Sequence, residues 1–200
     1  DICKEIAQMG FNEIQFDYVR FPDRISSYKN IDFHNTYNET KAEAIQRFLM
    51  YATYELHKLN VYVSADVFGE SSWGYVTAYG QYWPAISNVV DAISAMPYVD
   101  HFEKKETYWT NPYQTMLNWG KTAALRQTEI ETPAIARTWI TAYDTPYWKP
   151  TVIYNGEKLT EQINGLYDAG LTGGYMTWNS GSNLSKYKSQ FSAFNRTYGK

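Results

Sequence analysis

Short apolar runs alternate with longer amphipathic stretches along the chain. The runs are EIQFDYV (13–19), VYVSADVF (61–68), AISAMPY (92–98), AIARTWI (134–140) and GGYMTW (173–178). Their length and their β-branched and aromatic content predict strands. Between most of them the apolar period lengthens to that of a helix. Residues 39–59 set Ala44, Ile45, Phe48, Leu49, Ala52 and Leu56 on one face, with Asn60 as a stop. Residues 112–127 open on Pro112, favoured in a first helical turn, and carry Met116, Leu117, Ala123 and Ala124. Residues 158–169 carry Leu159, Ile163 and Leu166 before Gly170, and the opening DICKEIAQMG ends in the same way at Gly10. A last helix is expected near 184–195.

This alternation of helix and strand predicts a parallel sheet with helices outside it. A doubly wound open sheet and a (β/α)8 barrel both satisfy the order. A nucleotide-binding sheet would carry a glycine-rich turn after its first strand, and neither GxGxxG nor a Walker sequence occurs. The expected α/β fold is therefore the TIM-type barrel. Five strands are visible where a barrel needs eight, so the chain should cover roughly the last five βα units. Either three units precede residue 1 in a longer parent, or the sheet is an open half-barrel. No linker or repeat divides residues 1–200, and one domain is expected. An open edge near residues 13–19 would invite self-association.

Composition narrows the function. With 200 residues, 44% of them hydrophobic, the chain can bury a sizeable core. A net charge of −3 without a basic block argues against nucleic acid. No apolar run approaches the ~18 residues of a membrane span, and the charged opening does not read as a signal peptide. The single Cys3 excludes an internal disulfide and a Cys-based zinc site. His34, His57 and His101 lack HxH or HExxH spacing, so no metal or cofactor is expected. GESSWG is not the GxSxG elbow of a serine hydrolase. The outlier is 19 Tyr, 9 Phe and 7 Trp, enough to build a sugar-stacking surface as well as a core. Trp73, Trp83, Tyr108, Trp109, Tyr147, Trp148 and Trp178 lie beside polar loop residues and suit a carbohydrate cleft.

In parallel α/β folds active sites lie at the carboxyl ends of strands. Those ends carry Asp17, Tyr18 and Arg20; Asp66 and Glu70; Tyr98, Asp100 and His101; Arg137, Trp139, Tyr143 and Asp144; and Trp178 with Asn179. Asp17 and Asp66 on neighbouring strands suit the two carboxylates of glycoside hydrolysis, one giving a proton and the other attacking or activating water. Structural alternatives stand beside each. Asp17 would pair with Arg20, Asp66 would cap the next helix, and Glu70 would replace Asp66 as proton donor or mark a helix start. Arg137, inside an apolar strand, is ion-pair glue or a ligand clamp. His101 is a loop residue or a catalyst. Asp91, before the third strand, is structural.

GFNEIQFDYVRFP resembles the GF(D/N)EIQFDY(V/I)RFP signature of a glycoside-hydrolase-like family, barrel domains related to the alpha-amylase-like enzymes and long catalogued as a domain of unknown function. VSADVFG, AISAMPYVDHF, ARTWITAY and AGLTGGYMTWNSGSN follow in the family's order. The resemblance covers essentially the whole chain and implies a barrel from about its fourth strand onward. It implies Asp17 as nucleophile and Asp66 as general acid/base, with Arg20, Tyr98, His101, Arg137, Trp139 and Asn179 at motif positions lining the cleft. Glu70 and Trp178 complete the expected substrate contacts. The family's RPW is Arg137-Thr138-Trp139 here, its Gln is Thr141, and its Pro-Ser-His is Val99-Asp100-His101. The expectation is a glycoside hydrolase acting on a polysaccharide, outside the cell or at its surface. The rivals are a non-catalytic carbohydrate-binding relative and a metal-dependent deacetylase-type barrel.

Overall fold

The computed structural model describes residues 1–24 and 31–194. Its elements are α1 (Ile2–Gln8), β1 (Glu13–Phe16), α2 (Lys41–His57), β2 (Tyr62–Phe68), α3 (Trp83–Ser87), β3 (Ala92–Met96), α4 (Thr107–Thr110), α5 (Pro112–Gln127), β4 (Ile135–Ala136), β5 (Thr138–Thr141), α6 (Gly156–Asp168), β6 (Tyr175–Trp178) and α7 (Leu184–Phe194). A 3-10 turn, Gly69–Ser72, follows β2. The protein is α/β, and β1–β2, β3–β4 and β5–β6 all pair in parallel. The expected strand 134–140 breaks at Arg137. Its first half pairs with β3 and its second with β6, a change of partner that apolar periodicity does not reveal. Residue 195, expected to close the last helix, lies outside the described residues. No helix among the described residues is long and apolar enough to cross a membrane.

Contacts divide the chain into two compact units, residues 1–95 with 125–136 and residues 96–124 with 137–200. The first unit holds a four-stranded sheet in the order β1-β2-β3-β4, with β1 at the edge. Helix α2 starts on a capping box in which Thr40 and Glu43 satisfy each other's backbone N–H, an arrangement worth about 1 kcal/mol. It stops where Asn60 turns left-handed at φ 57°. Ile45, Leu49 and Leu56 on its inner face are buried, each contributing roughly 1.5–3 kcal/mol. Asp91 acts as the expected structural acid: its Oδ2 accepts from Val63 N at 2.7 Å and lies 2.8 Å from His57 Nε2.

The second unit pairs β5 with β6 and packs α6 on β5 and α7. The buried Gln162 amide donates to Thr141 O and accepts from Thr141 N, both at 2.9 Å. Helices α5 and α6 meet through glycine. A Cβ on Gly165 would stand 2.4 Å from Tyr113 O and 2.9 Å from Leu117 N, so backbone packs on backbone there. Gly170, at φ 91°, follows α6 as the sequence leads one to expect.

Candidate functional site

The first unit's sheet has two unlike faces at β1 and β2. Ile14 and Phe16 share a face with Val63, Ala65 and Val67, and the Phe16 ring meets Phe48 of α2 edge-on at 5.3 Å. The opposite face carries Glu13, Gln15, Ser64 and Asp66. Ser64 Oγ donates to Glu13 Oε1 at 2.6 Å, and Gln15 Nε2 donates to Asp66 Oδ1. Asp66 is 5% exposed, and burying a carboxylate is tolerated only where it is hydrogen-bonded. It caps no helix: the 3-10 turn beyond it has no side-chain cap.

Asp17 directly follows Phe16, whose register partner is Ala65. The register ends at that pair: Asp17 lies one residue beyond β1, and Asp66 follows Ala65 inside β2. Asp17 is exposed, and its Oδ1 accepts from Tyr18 N at 2.7 Å, with Tyr18 at φ 55°. The Asp17–Arg20 pair does not form. Arg20 lies over the rings of Phe68 and Tyr18, 4.9 and 5.3 Å from their centroids, and its carboxylate neighbour is Asp23 at 3.9 Å. Cation–π contact with two rings holds the guanidinium, leaving Asp17 to the solvent.

Glu70 is anchored within its own loop. Its two oxygens accept the hydroxyls of Tyr75 and Tyr79, at 2.9 and 2.8 Å. The Glu70 hydrogen bond pushes the Tyr75 phenol up; burial first and Glu70 second do the same to Tyr79. Ser71 and Ser72 close the turn on Phe68 O and Gly69 O. Sequence reasoning missed Gln81. Its buried amide donates to Val19 O and Asp66 O and accepts from Phe68 N, stapling the loop after β1 to the end of β2. A lone Gln in GQYW carries no signal for that role.

In the second unit Val99 N donates to Thr141 Oγ1 at 3.2 Å, and Thr141 is in register with Trp178. Tyr98, β5 and Trp178 are thereby brought to one set of strand ends. Asp100 joins His101 Nδ1 at 2.9 Å and the Tyr143 hydroxyl at 2.5 Å. Burial opposes ionisation of Asp100, but these two bonds win and its carboxyl titrates below its usual value; the same pair raises His101. Trp139 meets Trp178 edge-on at 6.1 Å, and Trp178 is 43% exposed. Arg137 stands between β4 and β5. Asn179 shapes the end of β6, donating to Ala142 O and accepting from Gly181 N. Of the rings expected at a cleft, Trp83 and Trp109 are core. Their indole N–H groups find Gln127 Oε1 and Pro150 O, which lets them be buried. Trp73, Tyr147 and Trp178 are exposed.

Parallel strands with acids and rings at their carboxyl ends define an α/β domain of the kind that carries enzyme sites on its rim. The chain belongs to the DUF4015 family, the "Putative glycosyl hydrolase domain", whose model matches residues 1–184. Comparison with curated proteins gave no match.

Proposed function

We propose that the chain is part of a glycoside hydrolase that cuts O-glycosidic bonds of a polysaccharide with Asp17 and Asp66, on a (β/α)8 barrel of which it forms the later units. The observation that carries this reading is the end of the β1–β2 register at Phe16 and Ala65, each of which is followed directly by one of the two acids. Asp17, open to solvent, attacks the anomeric carbon, and Asp66 gives its proton to the leaving oxygen and then takes one from water. Glu70 is the poorer donor, because two tyrosines already occupy its oxygens. A nucleophilic Asp17 implies retention, for which the two carboxyls stand about 5 Å apart. Arg20 is the proposed substrate contact of the first unit, and Tyr98, His101, Arg137, Trp139, Trp178 and Asn179 are those of the second, taken by itself. A polysaccharide substrate places the work outside the cell or at its surface, where such polymers are met.

The test is turnover on a panel of polysaccharides. Asp17→Asn and Asp66→Asn should each lower kcat more than about a thousandfold, and NMR of the first product should show the substrate's own anomer. Asp17→Asn keeps the oxygen that Tyr18 N needs, so its melting temperature should stay within about a degree. Glycan binding with no product from the parent chain would replace this reading with the non-catalytic one. Activity in Asp17→Asn would end the two-acid mechanism.

A further inference from the structure

The second unit holds a cluster that the acid pair does not use. Asp100 Oδ1 bonds both His101 Nδ1 and the Tyr143 hydroxyl. The Tyr98 ring stands edge-on to the imidazole at 5.4 Å and to Tyr143 at 6.2 Å. The Asp100 side chain is mostly covered while that of His101 is 66% exposed. Among the described residues His101 Nδ1 is bonded to Asp100, and Nε2 has no hydrogen-bond partner.

A carboxylate on Nδ1 keeps the proton on that nitrogen and turns the ring about it. Nε2 is then a donor when the ring is charged and an acceptor when it is neutral. A ligand held in both states must itself both donate and accept, which a hydroxyl does and a carboxylate or an ammonium does not. The exposed face of Trp178, reached through Thr141 in register, offers the apolar surface that a sugar's C–H face needs.

We propose that Asp100 is a positioning residue that presents His101 Nε2 to a hydroxyl of a bound saccharide. This rests on the glycoside hydrolase reading above. Tyr143 holds the carboxylate, Tyr98 supports the ring, and Trp178 takes the sugar face. His101 is the contact; Asp100 acts through it.

The experiment is NMR of the His101 ring nitrogens in the full chain, across pH, with maltohexaose, cellohexaose, chitohexaose and hexagalacturonate as separate probes. In the parent chain the neutral ring should carry its proton on Nδ1 and titrate above an ordinary histidine. One of the saccharides should shift Nε2. Asp100→Asn should return the ring to mixed tautomers and weaken that saccharide roughly tenfold, the loss of one charge-assisted bond. Asp100→Glu should restore part of both, and Tyr143→Phe should keep the Nδ1 proton in place. A parent ring that titrates as a free histidine, or a saccharide that moves Trp178 and leaves His101 still, overturns the proposal. Silence of every resonance toward every saccharide would instead overturn the glycan reading and the ligand with it. The tautomer would still decide whether Asp100 holds the ring.

Discussion

The two units organise their rims by different chemistry. In the first, neutral amides position the strand ends: Gln15 bonds the Asp66 carboxylate, and Gln81 ties residues 19, 66 and 68 together. In the second, amides also hold strand ends, Gln162 at Thr141 and Asn179 at Ala142, but charge meets charge beside them: Asp100 pairs with His101, and Asp144 with Lys186. An amide N–H given to a carboxylate favours the ionised form as an ion pair does, but without a second charge that must be held in place.

The contrast extends to packing, where the largest effect is expected. Gly165→Ala would drive a methyl into the Tyr113 carbonyl and should cost about 3 kcal/mol or more, read by urea unfolding; a loss below about 1 kcal/mol would mean that α5 and α6 do not meet through backbone. Gln81→Ala removes three hydrogen bonds and should cost about 2 kcal/mol, with faster amide exchange at Phe68, which loses its acceptor. Unchanged exchange there would show that the first rim does not depend on its amides. The smallest effect belongs to the ion pair. His101 is raised by Asp100, so its contribution is complete below the ordinary imidazole value and fades as pH rises through the folded value. Asp100 is lowered, so its share is present above the ordinary carboxyl value and fades as pH falls through the folded one. The pair therefore stabilises most between about pH 4 and 6.5. Because the imidazole is largely exposed, the gain should be under about 1 kcal/mol. Thermal melts of His101→Gln should differ most from the parent near pH 5.5 and converge by pH 9. A gap that widens toward pH 9 would reverse the assignment.

How much of this was legible depended on the range of the forces involved. Helix α5 spans Pro112–Gln127, the same limits that its starting proline and apolar spacing predict, because those signals are local. The ends of β1 and β2, at Phe16 and Phe68, fall close to where the apolar runs break, so they were legible. Partners were not. Asp17 faced Arg20 three residues away in sequence, yet the guanidinium went to aromatic rings. Trp83 and Trp109 sit among polar letters and are nonetheless core, since their hydrogen-bond acceptors come from 44 and 41 residues further along the chain. Gln81 and Tyr143 acquire their roles only through residues that the fold brings to them.

Tyr18 has a consequence of its own. Left-handed backbone is where glycine or asparagine is at ease, and a tyrosine there costs on the order of 1 kcal/mol while its ring stays in water. Mutagenesis guided only by melting temperature would therefore put glycine at this position and gain a sturdier chain. It would also free the backbone whose N–H binds the Asp17 carboxylate and remove one of the two rings beneath Arg20, so on the function proposed above the sturdier variant would turn over more slowly.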